Sequence, residues 1–526
     1  MERREFHANS SLKPSITSEK KRKARRESTS TMEELKEKTR IALQKGLDPT
    51  AAMKFIDTLQ WLGISYHYEE EIDVWLEKLQ HWNAPEHDLQ ATALRFRLLR
   101  QNSRPVNSDI FTKFMVRKQD KEGLLCLYEA SYLGTSDEYI LSKAMTFAEK
   151  ELKLMARSTT LPRHFSWPIS RALELPRHLR MERLESRLYI DEYSNQSHPN
   201  DHLLKLAKSD YNHVQSLYQM ELAEVFRWLK HLGLTDKLSF ARNRPMECFL
   251  WTVGIFPHPK YFSVRIEMAK SIAILLVLDD IFDTYGNIEE LSLFTQAIQR
   301  WDLNAIEELP EYMKICYMAL YNTTNEIAYH VLKEQGRNIL PYLAKMWIDT
   351  IEAFMVEVEW FNNGHTPCIE DYLRNGITTS GSYMALVLSF FLTGEGINEQ
   401  NVKYMAKPYP KIFSISGEIL RLWDDLGTAK EEKDRGDNSS VVTLLMKENK
   451  LASEDEAREH IMELIQNLWK DLNRELLGSS KLPLTLINAC FNMSRTSQVI
   501  YQHQEDSYFS SVDKFVDIIL FDPIKI

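Results

Sequence analysis

Cysteine is scarce and scattered. The five residues, Cys126, Cys248, Cys316, Cys368 and Cys490, form no CxxC pair. That excludes a zinc ribbon or a disulfide framework and fits a reducing compartment. Glycine is scarce too: 17 residues in 526 are about half of the usual share of roughly 7%. With only 18 prolines beside them, they leave little turn material for a many-stranded β protein, so long helices are expected. No apolar run reaches the roughly 18 residues that a membrane-spanning helix needs. Positive charge is not in excess. The formal net charge is -10, so no nucleic-acid partner is expected. Hydrophobic residues make up 44% and charged residues 27%, an ordinary globular mix that excludes a wholly disordered chain. At roughly 150 residues per domain the length suits two large domains or three ordinary ones.

Residues 1–31 differ from the rest, with nine Lys or Arg, nine Ser or Thr, four Glu and few apolar side chains. Such a segment cannot bury enough surface to offset its ordering entropy, so residues 1–32 are expected to be a disordered head or a targeting segment. The run KKRKARR at Lys20–Arg26 suits a nuclear signal or an anionic surface as well as a solvated head. A plastid transit peptide should be basic, Ser-rich and poor in acids. Glu2, Glu5, Glu19 and Glu27 run against that, and tilt the expectation to the cytoplasm, with the plastid as the alternative. From residue 33 onward apolar positions recur at three- and four-residue steps, as in EEEIDVWLEKLQHW. The polar break SHPND at Ser197–Asp201 places a domain boundary near residue 210: a helical N-terminal domain over 33–210 and a second over 211–526. No strand-like alternation and no fixed-period repeat appear.

The most informative stretch is SIAILLVLDDIFDTYG, residues 271–286. Its apolar residues run straight into Asp279, Asp280 and Asp283. On a helix Asp279 and Asp283 share a face, one turn apart, at the end where the macrodipole is already negative. Bound divalent cations would offset that, and oxygen ligands suit magnesium, with manganese as an alternative. A solvated acidic helix end fits the same residues. In ILRLWDDLGTAKEEKDRGD, Asp424, Thr428 and Glu432 fall at i, i+4 and i+8 and line one oxygen-bearing stripe, with Arg421 a turn earlier. Ordinary surface pairing with Lys430 and Lys433 is the plainer account of that helix. Upstream, Arg242 and Arg244 flank Asn243 and precede Pro245, which puts them in a loop or at a helix start. Paired guanidiniums suit a phosphate group, though salt bridging is their commoner use.

Together these motifs resemble those of plant class I terpene synthases, from about residue 50 to the C-terminus. LDDIFDTYG looks like the DDxxD motif, DDLGTAKEE like the second metal motif (N/D)DxxSxxxE, and RNR like the RxR element about 35 residues before DDxxD. FIDTLQWLGISYHYEEEI and LPRHLRMERLESRLYI are family-like runs in the first half. The resemblance implies an all-α fold: an N-terminal α-barrel-like domain and a C-terminal class I terpenoid synthase helical bundle holding the active site. No DxDD motif is present, so ionisation rather than protonation is implied. No Trp follows Arg3–Arg4 or Arg25–Arg26 at the spacing common in cyclic monoterpene synthases. Its absence is similar to the subfamily that makes acyclic alcohols such as linalool and nerolidol.

The resemblance further implies a geranyl or farnesyl diphosphate substrate and three magnesium ions, with a monomer expected. Asp279 and Asp283 would hold two ions, and Asp424, Thr428 and Glu432 a third. Arg242, Arg244 and Arg421 would clamp the diphosphate, to which Asp279, Asp283 and Asp424 also belong through the metals. Asp280, off the shared face, would support an arginine or lysine. Trp251, and Tyr508 with Asp506 beside it, would line the catalytic cavity, although core packing suits either aromatic. NGITTSGSY, residues 375–383, would supply a helix break at Thr379 and Gly381, and KDRGDNSS a closing lid. The alternatives are a cyclising terpene synthase, a prenyl chain-elongating synthase and a catalytically silent helical scaffold.

Overall fold

The computed structural model describes residues 16–115, 120–157, 162–434, 440–478, 481–502 and 508–526, with side chains throughout except at 16–29, 235, 430–434 and 508–511. Among these residues there are helices and no strands, as the scarcity of glycine implies. The first half runs α1 (Ile16–Gln44), α2 (Pro49–Trp61), α3 (Glu69–His81), α4 (Leu89–Gln101), α5 (Lys121–Ser131), α6 (Tyr139–Ala156), α7 (Arg163–Glu174) and α8 (Glu182–Ser194). Then come α9 (Asp201–Leu232), the short α10 (Leu234–Lys237), α11 (Pro245–Ile255), α12 (Phe262–Asp280), α13 (Ile288–Arg300), α14 (Glu311–Gln335) and α15 (Leu340–Asn362). The chain closes with α16 (Ile369–Thr379), α17 (Ser382–Thr393), α18 (Glu399–Lys403), α19 (Lys411–Asp434), α20 (Val441–Glu448), α21 (Glu454–Leu477), α22 (Leu484–Tyr501) and α23 (Tyr508–Val516).

In the first half α4 is covered on both sides. Leu94, Leu98 and Leu99 pack toward α1–α3, while Ala93 and Phe96 pack toward α5–α7. A helix buried on two faces belongs between two layers, which gives this half its double-layered build, and its buried Arg97 and Arg100 are each paired with a carboxylate. In the second half α12 has the central place. Its residues from Val264 to Leu278 are mostly buried, against α11, α9, α14 and α17, as the apolar run 271–278 requires.

Two expectations shift. Residue 210 is not at a break but inside α9, whose start is capped by Asn200 accepting from the His202 and Leu203 amides. Leu203, Leu206 and Tyr211 join the first half's core, whereas Val214, Tyr218 and Leu222 pack with α11 and the C-terminal segment. One continuous amphipathic helix therefore serves both halves. Residues 16–32, expected within a disordered head, lie in α1. Lys, Arg, Glu and Ala are good helix formers, and a composition unable to bury surface is still able to wind. Among the described residues no single helix is long and apolar enough to cross a membrane.

Candidate active site

The buried α12 carries its acids to one end. The α-helix stops at Asp280, and Ile281–Tyr285 winds as a π-turn closed by the Gly286 amide on the Ile281 carbonyl at 2.8 Å. The Asp279–Asp283 step thus leaves the α-helix within the motif, a wider turn than the expected one and a device frequent at functional sites. The two carboxyls still act on each other. Burial, then Asp279, then Glu357 hold the Asp283 carboxyl well above the usual carboxylate range.

Arg242 lies in the loop before α11, as its neighbouring proline predicts. It forms an ion pair with Asp279, and its Nε is 2.7 Å from Asp280 Oδ1. Its amide donates to Asp280 Oδ2 at 2.6 Å. Asp280 therefore meets an arginine, the part its off-face position assigns it; burial still raises its pKa against that arginine. Arg244 immediately precedes α11, and its guanidinium lies 3.5 Å from Glu247.

The second stripe stays on one helix, α19. Thr428 Oγ1 donates to the Asp424 carbonyl at 2.8 Å. Burial raises the Asp424 carboxyl despite Arg421, and Asp279 and Arg242 both act on it, so the two stripes face each other. Arg421 reaches further than expected: Nε is 2.7 Å from Asp425, and Nη1 is 3.5 Å from Asp424. Asp425 is fully buried and accepts from the Val441 amide at 2.6 Å and the Tyr372 hydroxyl at 3.1 Å. Burial pushes it up to about 6. A Cβ at Gly376 would come within 3.0 Å of the Arg421 side chain, so glycine lets that arginine lie close on α16.

Beneath the carboxylates is a mainly apolar cavity lined by Trp251, Leu275, Ser380, Gly381, Met384 and Tyr501, among others. The predicted break is there: α16 and α17 bend by 42° about Ser380–Gly381. Gly381 has φ +76°, a conformation that favours glycine, and a Cβ there would have to displace the end of the Leu275 side chain, 2.4 Å away. Trp251 is half-buried on this wall, its ring 6.0 Å from that of Tyr501.

Three functional residues escaped the sequence reading. Glu357 of α15 accepts from Thr379 Oγ1 at 3.0 Å and Asn375 Nδ2 at 3.1 Å, and burial lifts it to about 7. It falls on the stripe Trp347, Thr350, Phe354, so an acid at an apolar position was the available signal. Tyr501 hydrogen-bonds Asp424. Asp425 was read only as part of its motif. The side chains of Glu432 and Tyr508, all of Asp506, and most of the KDRGDNSS loop lie outside the described residues. Among the described residues no three His, Cys, Asp or Glu side chains close on one point as a finished metal cage. The donor chemistry nonetheless suits a hard divalent cation: carboxyl and hydroxyl oxygens, crowded enough to raise one another's pKa.

An all-helical chain with two facing acidic stripes over a mainly apolar cavity defines a class, and the chain's relatives supply the family. Residues 4–173 match the terpene synthase N-terminal domain, and residues 230–471 match the metal binding domain of the terpene synthase family. The chloroplastic monoterpene synthase TPS4 of Cananga odorata is 57% identical over 500 residues, 94% of this chain and 85% of that protein. Chloroplastic geraniol synthase of Ocimum basilicum is 53% identical over 493 residues, covering 93% and 86%. R-linalool synthase, chloroplastic, of the same plant is 52% identical over 505 residues, covering 94% and 88%. Two solved structures share the fold. Limonene synthase with 2-fluorolinalyl diphosphate has a TM-score of 0.90 at 35% identity, covering 95% of each chain. Grey poplar isoprene synthase, in complex with three Mg2+ ions and dimethylallyl-S-thiolodiphosphate, has a TM-score of 0.87 at 35% identity, covering 95% and 97%.

The chain belongs to the terpene synthase family and is an enzyme acting on a prenyl diphosphate. The class I terpenoid synthase bundle and the helical N-terminal part are as the resemblance implied. The cytoplasmic expectation is overturned, since all three relatives carry the word chloroplastic in their names. Four acids among the first 31 residues do not exclude a plastid address.

Proposed function

We propose that this enzyme ionises geranyl diphosphate and lets water capture the cation as an acyclic monoterpene alcohol, chiefly linalool, in the plastid. The observation that carries the reading is the pair of facing carboxyl stripes over a mainly apolar cavity. Asp279 and Asp283 would hold magnesium on one side, and Asp424, Thr428 and Glu432 on the other, with Glu357 close to Asp283. Bound there, the ions would supply Lewis-acid stabilisation of the charge that develops on the leaving diphosphate. Arg242, Arg244 and Arg421 add guanidinium charge at the same mouth, matched to phosphate geometry. Stabilisation aimed at the leaving group acts where charge appears in the transition state.

Below the mouth, Trp251 and Tyr501 offer π-faces to an allylic cation, a contact worth up to about 2 kcal/mol when desolvated. Ser380, Glu247 and Tyr501 put oxygen on an otherwise apolar wall, the chemistry a captured water needs. The acyclic alcohol draws on the geraniol and R-linalool synthase relatives and on the missing arginine–tryptophan motif. Farnesyl diphosphate would give nerolidol in the same way, because an apolar pocket discriminates by only about 1–3 kcal/mol per methylene. Incubation of the purified protein with geranyl diphosphate and magnesium, read by gas chromatography, tests this. Linalool or geraniol, abolished by a chelator, supports it. A profile dominated by limonene or another cyclic hydrocarbon refutes the alcohol, and the absence of any product refutes the activity.

A further inference from the structure

A second cavity, of about 630 Å3, lies where the two halves meet, lined by residues of both and away from the carboxyl stripes. Its volume is that of a small-molecule site, which is typically about 300–1,000 Å3. Part of its lining is cationic. Arg177 and Arg180 lie over Trp61, their guanidinium carbons 4.1 and 5.2 Å from the ring centre. Another part is a ladder of rings, with Tyr66 stacked on His258 at 5.0 Å and His258 on Tyr261 at 6.5 Å.

The lining carboxylates are already engaged. Glu185 is 3.0 Å from Arg180, Glu182 is 3.2 Å from His258, and Glu69 is 3.4 Å from Lys260. Asp73 pairs with Arg104 at 2.6 Å, and Glu395 accepts from Thr485. Arg97 and Arg177 share the single carboxylate of Asp57. Arg495 of α22 is different: among the described residues no carboxylate lies within 4 Å of it. Nε donates to the His178 carbonyl and Nη1 to Asn492 Oδ1, both at 2.8 Å, and both acceptors are neutral. Burial lowers its pKa to about 10, and Glu182, which pairs with His258, acts on it only from beyond 4 Å. A desolvated guanidinium held by neutral oxygens has the field of an anion site, and its fork matches phosphate.

We propose that this inter-half cavity binds a small phosphate-bearing metabolite, with the phosphate on Arg495 and any planar part against the Tyr66–His258–Tyr261 ladder. The phosphate has two sources to separate: inorganic diphosphate, the leaving group of this enzyme family, or an organic phosphate with a ring. Calorimetric titration of the full chain in a chelator, with inorganic diphosphate and separately with adenosine monophosphate, tests it. Saturable one-to-one binding of either probe is expected, weakened at least tenfold by Arg495→Gln and largely kept by Arg495→Lys. Asn488→Phe, which fills the cavity from an exposed position without touching the bonds of Arg495, should weaken binding as well, and keeps the test open where Arg495→Gln fails to fold. Tighter binding of the nucleotide assigns the ladder its part, and tighter binding of diphosphate assigns the site to the inorganic ion. No saturable binding of either probe, or binding lost in Arg242→Ala and kept in Arg495→Gln, overturns the proposal.

Discussion

Asp57 in the first half and Asp425 in the second are both held by arginine, yet burial is outweighed at one and prevails at the other. Asp57 pairs with two guanidiniums, Arg97 and Arg177, and its carboxyl falls below the usual range although desolvation opposes it. Asp210, held by His67 and Tyr66, falls as well. Asp425 shares Arg421 with Asp424, and its neighbour's charge adds to the cost of burial. The first half is not uniform: Glu129, with Arg180 at 3.6 Å, stays raised by burial. At the mouth of the second half, however, the deficit is collective. Asp280, Asp283, Glu357, Asp424 and Asp425 are all raised, with Arg242 and Arg421 as the cations that act on them. A buried carboxylate that is paired holds a fold together, and a group left short of positive charge marks where a cationic ligand belongs.

The sharpest way to break that contrast is to remove carboxylates from each half. Asp279→Ala or Asp283→Ala should cost at least about 4 kcal/mol of transition-state stabilisation, a rate loss of roughly a thousandfold or more. Thermal melts of Asp283→Ala should match the parent or rise, since a repelling charge is gone, whereas Asp279→Ala also gives up its ion pair with Arg242 and should melt no higher than the parent. Product formation at near-parental rate would remove both from the metal site. Asp57→Ala should do the reverse. Leaving Arg97 buried and Arg177 half-buried without their carboxylate should cost about 3 kcal/mol of stability in urea unfolding, with turnover per folded molecule unchanged. A variant of Asp57 that stays stable but loses turnover would erase the distinction between the halves.

The arginines sharpen it next. Arg242→Ala or Arg421→Ala removes a charge-assisted contact at the mouth, and about 2–3 kcal/mol, or roughly 30- to 150-fold in rate, is expected. Arg421 carries a second duty, since it pairs with the fully buried Asp425, so its variant should also melt earlier than the Arg242 variant. Equal melting with unchanged rates would make both arginines ordinary surface partners.

Much of this site was legible in the chain because its chemistry is local. The apolar run into Asp279 and the four-residue steps from Asp424 each place charge at a defined position on one helix. What was not legible depends on distance in sequence or on backbone detail. Glu357 is 74 residues from Asp283 and belongs to no motif, so only packing reveals it (357 − 283 = 74). The π-turn is closed by the Gly286 amide donating to the Ile281 carbonyl, which composition does not announce. The polar break at Ser197–Asp201 marks the start of α9 and not a gap between domains, and the handover between the two cores falls inside that helix, between Tyr211 and Val214.

The smallest expected effect lies at the junction of the halves. His178 Nε2 is 2.9 Å from Asn473 Oδ1, and Asn473 Nδ2 donates to the Tyr132 and Gly134 carbonyls, so a histidine of the first half meets α21 of the second. Burial, with Arg495 adding repulsion, lowers its pKa to about 3. The unfolded chain takes up a proton near the ordinary value of about 6.5, whereas the folded chain does not, so this stability is whole above that pH and is lost as pH falls toward 3. The loss should be about 1 kcal/mol between pH 6.5 and 5.5, steepening toward about 1.4 kcal/mol per further unit. The raised carboxyls at the mouth act with the opposite sign. Their folded forms accept protons first, so acid relieves their crowding. Urea unfolding of the parent alone would therefore mix the two halves. Comparing the parent with His178→Gln at pH 7.5, 6.5 and 5.5 isolates the junction, because the variant lacks the titrating group and should fall less steeply. Parallel slopes for the two proteins would mean that His178 becomes charged in the folded state and that the junction admits water.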